Sequence, residues 1–123
     1  MVRVEEFMSK GVITIDAAEM AVGAAELMTE KGIGSLVVTR DGEPVGIVTE
    51  SDFIRKVTSK KLDASVLRVH EIMSKPLITV SADTNVKEAA RLMREKRIRR
   101  LPVVRRGRLV GIVTSSDFTW LYQ

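Results

Sequence analysis

The sequence predicts an α+β protein made of two tandem repeats, each a β-α-β-β-α unit in which two helices cover a three-stranded sheet. Three observations predict it. Sliding the chain by 65 residues aligns 4–58 with 69–123 without a gap, and 27 of the 55 pairs are identical. Within each copy the apolar pattern alternates between short β-branched runs and a helical spacing. The phrase GIVTESDF at 46–53 returns as GIVTSSDF at 111–118, closing both copies in the same way. The division is therefore a first repeat with its connector over 1–65 and a second over 66–123.

Each copy yields its elements in the same order. Ile13–Ile15, and Ile78–Val80 after it, form a brief β-branched strand. Ala21, Ala24, Ala25 and Met28 then fall at i, i+3, i+4 and i+7, one buried helical face, and Val86, Ala89, Ala90 and Met93 repeat it. A second strand follows at 36–38 or 101–104, then a turn containing Gly42 or Gly107, then a strand at Val45–Thr49 or Val110–Thr114. A helix beginning near Ser51 or Ser116 closes each copy. Gly46 and Gly111, inside strands, predict close approach by a neighbouring backbone or a ligand. One sheet face per copy needs cover, so the halves are expected to pair with pseudo-twofold symmetry, leaving clefts at their seam. Met20, Met28, Met73 and Met93 read as packing residues.

Composition narrows the function classes. With 45% hydrophobic and 29% charged residues, the chain reads as a soluble protein. It has no apolar run of about 18 residues, its opening MVRVEEFMSK leads to no expectation of a secretory signal, and it contains no cysteine, which excludes disulfides and thiol chemistry and suits a cytoplasmic location. No metal-ligand spacing and no nucleophile beside a base stands out, so neither a metal, a required cofactor nor an enzyme is expected. Lone His70 reads as a solvated side chain. Charge is split between the halves: 8 basic and 11 acidic residues in 1–65, against 12 and 5 in 66–123. Such a split fits an anionic partner or copies docking with unlike halves together.

The doubled phrase admits two readings. Thr49-x-x-Asp52 and Thr114-x-x-Asp117 have the spacing of a capping box at a helix start. The same hydroxyl and carboxylate suit a nucleoside phosphate, with the acid on the ribose and donors on the phosphate. Capping and binding are compatible.

On these residues, with the Met-Ser-Lys lead-ins at Met8 and Met73, the strand-turns at Ile13–Ile15 and Ile78–Val80, and Arg100-Leu101-Pro102-Val103-Val104, the chain resembles a tandem pair of cystathionine-β-synthase (CBS) domains, a Bateman module, here stand-alone. The resemblance runs from Val4 to the C-terminus. It implies a regulatory, energy-sensing module that binds AMP, ADP, ATP, NAD or S-adenosylmethionine in clefts between the repeats and signals to a partner protein in trans. By that resemblance Asp52 and Asp117 take ribose hydroxyls, while Thr49, Ser51, Thr114 and Ser116 stand on the phosphate side. Each cleft would pair one repeat's first strand with the other repeat's turn. The stronger cleft would hold Thr14, Ile15, Ala17, Arg99, Arg100, Thr114, Ser116 and Asp117. The weaker would hold Thr79, Val80, Ala82, Gly34, Ser35, Thr49, Ser51 and Asp52.

The ranking comes from where the copies differ. Arg99 and Arg100 stand where the first repeat has Gly34 and Ser35, and a guanidinium fork fits phosphate oxygens. A homodimer is expected, with Trp120 and Tyr122 as packing or dimer contacts. Two other readings remain: nucleic-acid binding through Arg91, Arg94, Arg97, Arg99, Arg100, Arg105, Arg106 and Arg108, and a purely structural dimerisation module. The sparse aromatics serve base stacking poorly.

Overall fold

The structure is a computed structural model that describes residues 1–122, with side chains through residue 119. The side chains of Trp120 and Tyr122 lie outside the described part. Two compact units divide the chain, one comprising Ile13–Leu77 and the other Met1–Val12 with Ile78–Gln123. We call them the Asp52 unit and the Asp117 unit.

In the Asp52 unit the order is β1 (Thr14–Asp16), α1 (Ala21–Lys31), β2 (Ser35–Arg40), β3 (Glu43–Thr49) and α2 (Glu50–Phe53), which runs on as a π-helical turn, Ile54–Thr58. A short helix α3 (Val69–Ile72) follows the connector. The sheet order is β1-β2-β3, with β1 parallel to β2 and β2 antiparallel to β3. Arg40 pairs with Glu43 across Asp41 and Gly42, at φ 52° and 80°. Both central residues are left-handed, as a two-residue hairpin loop of type I′ requires. Of the periodic residues of α1, Ala21, Ala24 and Met28 pack on Leu36, Val38 and Val48, whereas Ala25, expected on the same buried face, is half-buried at its margin.

The Asp117 unit repeats this with β4 (Val80–Ser81), α4 (Val86–Lys96), β5 (Arg100–Arg105) and β6 (Arg108–Thr114), sheet order β4-β5-β6. Val86, Ala89, Ala90 and Met93 of α4 join Leu101, Val103, Val113 and Phe118 in its core. Its closing element differs from the first copy's. Ser115–Tyr122 is a 3-10 helix in which Phe118 leaves helical geometry (φ −116°, ψ 15°), and the Phe118 ring is fully buried. Asn85 caps α4 by accepting a hydrogen bond from the Lys87 amide at 2.9 Å, whereas α1 starts at Met20 without a side-chain cap.

The units are composed differently from the sequence repeats, because the lead-in of each repeat is built into the unit of the other. In the Asp117 unit Val4 N–H donates to Thr84 C=O, and Val86 N–H to Val2 C=O. In the Asp52 unit the equivalent bonds run from Val69 N–H to Glu19 C=O and from Ala21 N–H to Leu67 C=O. Each lead-in begins with the same capped turn: Glu6 accepts from the Arg3 amide and Glu71 from the Arg68 amide, both at 2.8 Å.

Candidate ligand-binding turns

The glycine of each phrase has a steric cause. Lead-in residue Ser74 exchanges backbone bonds with Ile47, and Ser9 does the same with Ile112. A Cβ on Gly46 would stand 2.8 Å from Met73 Sδ and 2.9 Å from the Ser74 carbonyl oxygen. On Gly111 it would stand 2.5 Å from Met8 Sδ and 2.9 Å from the Ser9 carbonyl oxygen. The neighbour foreseen from the sequence is the crossing lead-in. One residue on, between Val38 and Thr39 and between Val103 and Val104, both hairpins carry a bulge.

The Thr-x-x-Asp spacing forms the capping box it predicts in the first turn. Thr49 Oγ1 accepts from the Asp52 amide at 3.3 Å, and Asp52 Oδ2 accepts from the Thr49 amide at 2.9 Å and from Thr49 Oγ1 at 3.2 Å. In the second turn Asp117 Oδ2 accepts from the Thr114 amide at 2.8 Å and from Thr114 Oγ1 at 3.3 Å. Thr114 Oγ1 also lies 2.8 Å from Ser116 Oγ.

Beyond the box the turns part. Asp52 is fully buried, and its Oδ1 accepts from Ser74 Oγ at 2.8 Å and pairs with the Lys56 ammonium at 2.9 Å. Lys56 Nζ donates in addition to the Ile72 carbonyl at 2.9 Å and the Met73 carbonyl at 3.4 Å. Asp117 is half-buried and Ser116 exposed. Neither Lys56 nor Ser74 is foreseen as part of the turn. Lys56 had a signal, since Asp52 and Lys56 stand at i, i+4 on one helical face.

Arg100 is placed beside the second turn by strand register. It pairs with Thr114 across β5 and β6, and the Ser115 amide donates to the Arg99 carbonyl at 2.8 Å. Arg99 is exposed and Arg100 half-buried. In the Asp52 unit Ser35 pairs with Thr49, and Gly34 C=O receives the Glu50 amide at 3.2 Å. Gly34, Ser35 and Thr49 are half-buried, and Ser51 is exposed.

The first-strand residues stand elsewhere in their units. β1 and β4 occupy the sheet edge opposite the turn-bearing strand, two strand spacings or about 10 Å away. Ile15, Ala17, Val80 and Ala82 pack into the cores. Ala17 bonds Thr39 and His70 through its backbone, and Ala82 bonds Val104 and Glu5. Thr14 is exposed and Thr79 half-buried. His70 is exposed, and among the described residues no group of three His, Cys, Asp or Glu side chains stands ready to hold a metal. No described helix is long and apolar enough to cross a membrane.

Comparison with known proteins agrees with this architecture. The CBS domain family matches residues 4–59 and 69–122, so the chain belongs to that family as a tandem pair, in general a regulatory module that binds ligands. An uncharacterised protein of Methanopyrus kandleri is 46% identical over 94% of this chain, which spans 60% of that protein's length. The structure of an uncharacterised conserved protein from Pyrococcus horikoshii superposes with a TM-score of 0.89 at 34% identity, covering 99% of this chain and 92% of that one. A hexameric CBS-CP12 protein from bloom-forming cyanobacteria gives a TM-score of 0.88 at 38% identity, covering 96% of this chain and 69% of that one.

Proposed function

We propose that this chain is a regulatory sensor of an adenosine-containing ligand, held at the Asp117 turn, that passes occupancy to a partner protein in trans. One juxtaposition supports the reading: the Arg100–Thr114 register pair sets a guanidinium-bearing strand end beside two hydroxyls and a carboxylate. Asp117 would receive the ribose hydroxyls, with Thr114, Ser116, Arg99 and Arg100 on the phosphate. Arginine–phosphate hydrogen bonds contribute roughly 1.5–3 kcal/mol. Arg100→Ala should therefore weaken AMP about tenfold to a hundredfold and adenosine far less, because the nucleoside has no phosphate to lose. Asp117→Ala should weaken both. Titration calorimetry with AMP and adenosine checks it, and equal losses for the two ligands in Arg100→Ala would defeat the phosphate role. Nucleic acid is the second reading, favoured by the exposure of Arg97, Arg99, Arg105, Arg106 and Arg108. Such binding would fall steeply with salt.

The same proposal includes a homodimer. A groove of about 500 Å³ in the Asp52 unit is lined by Ala25, Met28, Ile33, Phe53 and Ile54, with Glu50 at its rim, and Ile54 is 63% exposed. The corresponding groove in the Asp117 unit holds only about 100 Å³. Exposed Glu26 on α1 has Arg91 in its place on α4, which favours unlike units of two copies meeting. Glu26→Arg with Glu50→Arg should make the protein monomeric, and mixing it with Arg91→Glu/Arg94→Glu protein should restore dimers. Sedimentation velocity on each variant and on the mixture measures this, and a dimer indifferent to both reversals would show that like units meet.

A further inference from the structure

We propose that the Asp52 turn is closed by its own lysine, so that Lys56 limits the chain to one adenosine ligand, held at the Asp117 turn. The inference rests on the reading of the Asp117 turn given above. A carboxylate grips a ribose by accepting its hydroxyls, and it has about four lone-pair positions to offer. All four are taken at Asp52. Oδ2 receives the amide and the hydroxyl of Thr49, and Oδ1 receives the Ser74 hydroxyl and the Lys56 ammonium. The three ammonium protons of Lys56 are equally committed, to Asp52 Oδ1 and to the carbonyls of Ile72 and Met73. Asp52 has no exposed surface, and the Arg55 guanidinium already stands 3.7 Å from its Oδ1.

A ribose entering here would replace the Lys56 ammonium on Oδ1 by hydroxyls that carry no charge, separating an ion pair whose carboxylate is fully buried. It would also strip two backbone carbonyls of their donor. The exchange is unfavourable on every count. The lysine is peculiar to this turn: the second repeat carries Leu121 in the place of Lys56, although the turns match at Thr, Ser and Asp. Lys56 thus acts as a resident ligand of the first turn.

Calorimetric titration with AMP tests this on the full chain and on Asp52→Asn, Lys56→Met and the double variant. The expected results are one equivalent per chain in the unaltered protein, and unchanged stoichiometry and affinity in Asp52→Asn. Lys56→Met should gain a second, weaker equivalent that the double variant lacks. Two equivalents in the unaltered protein, one of them removed by Asp52→Asn, would overturn the closure while leaving the Asp117 reading intact. Absence of binding in the unaltered protein would overturn both. Folded Lys56→Met with a single equivalent would reduce Lys56 to a stabilising contact and overturn its gating role. Should Lys56→Met fail to fold, the unaltered chain and the isosteric Asp52→Asn variant still test the closure, because a second equivalent lost in Asp52→Asn overturns it.

Discussion

Lys56→Met is expected to destabilise the protein by about 3 kcal/mol, the low end of the cost of breaking a buried ion pair from one side. The substitution keeps the length and the apolar stem of the side chain, so the loss isolates the ammonium. Asp52 would remain fully buried with its charge, relying on Thr49 and Ser74, while the carbonyls of Ile72 and Met73 would each lose a donor. The low end applies because the Lys56 side chain is 31% exposed and water reaches part of it. For a chain of this length the melting temperature should fall by roughly 10 °C. Arg55 supplies the control. It lies 3.7 Å from the same carboxylate but is 64% exposed, so Arg55→Ala should change stability by only a few tenths of a kcal/mol. Denaturant unfolding of Lys56→Met, Asp52→Asn and the double variant gives the coupling energy directly. Simple addition of the two single losses would refute the pair.

Gly111→Ala should cost about 2–3 kcal/mol, the range for overfilling a close-packed site. A methionine thioether 2.5 Å from the new methyl can swing aside, but the Ser9 carbonyl at 2.9 Å is backbone already bonded to Ile112. Relief therefore requires the lead-in to lift from β6 and lose the paired bonds between Ser9 and Ile112. Gly23→Ala is the contrasting case. It lies inside α1 with nothing within 4 Å of its new methyl, so it should stabilise by about 0.5–1 kcal/mol. Chemical denaturation ranks the two, and hydrogen exchange at the Ser9 and Ile112 amides locates the damage. Gly111→Ala with unchanged protection at both amides would contradict the steric account.

The element order was legible because it depends on local patterns. Alanines at helical spacing pack on β-branched strands wherever the chain takes them, and Asp41-Gly42 makes a hairpin loop without help from a distance. The capping boxes were legible for the same reason, as bonds spanning three residues. Lys56 was half-legible: its spacing from Asp52 was visible, but the burial that makes the pair matter was not. Ser74 was not legible, since its bond to Asp52 spans 22 residues of chain. The exchange of lead-ins was hidden for a different reason. Val4-x-Glu6 and Val69-x-Glu71 run into the same Met-Ser-Lys, so either lead-in has the groups that either sheet requires. A duplicated sequence states what is received without stating by which copy.

That exchange makes the chain order and the building order different things. The Asp52 unit is one continuous stretch, 13–77, and can assemble as soon as it has left the ribosome. The Asp117 unit is split, its opening dozen residues separated from the remainder by the entire Asp52 unit. Those dozen residues, made before the Asp52 unit, must wait for β6, made after it, before Ser9 and Ile112 can meet. Cutting the chain in the connector would accordingly leave each piece with a lead-in whose seat lies on the other. A half-length ancestor with a single phrase could have built the same units only as two chains trading their first dozen residues. Joining those chains end to end turns an exchange between molecules into one within a molecule, independent of concentration.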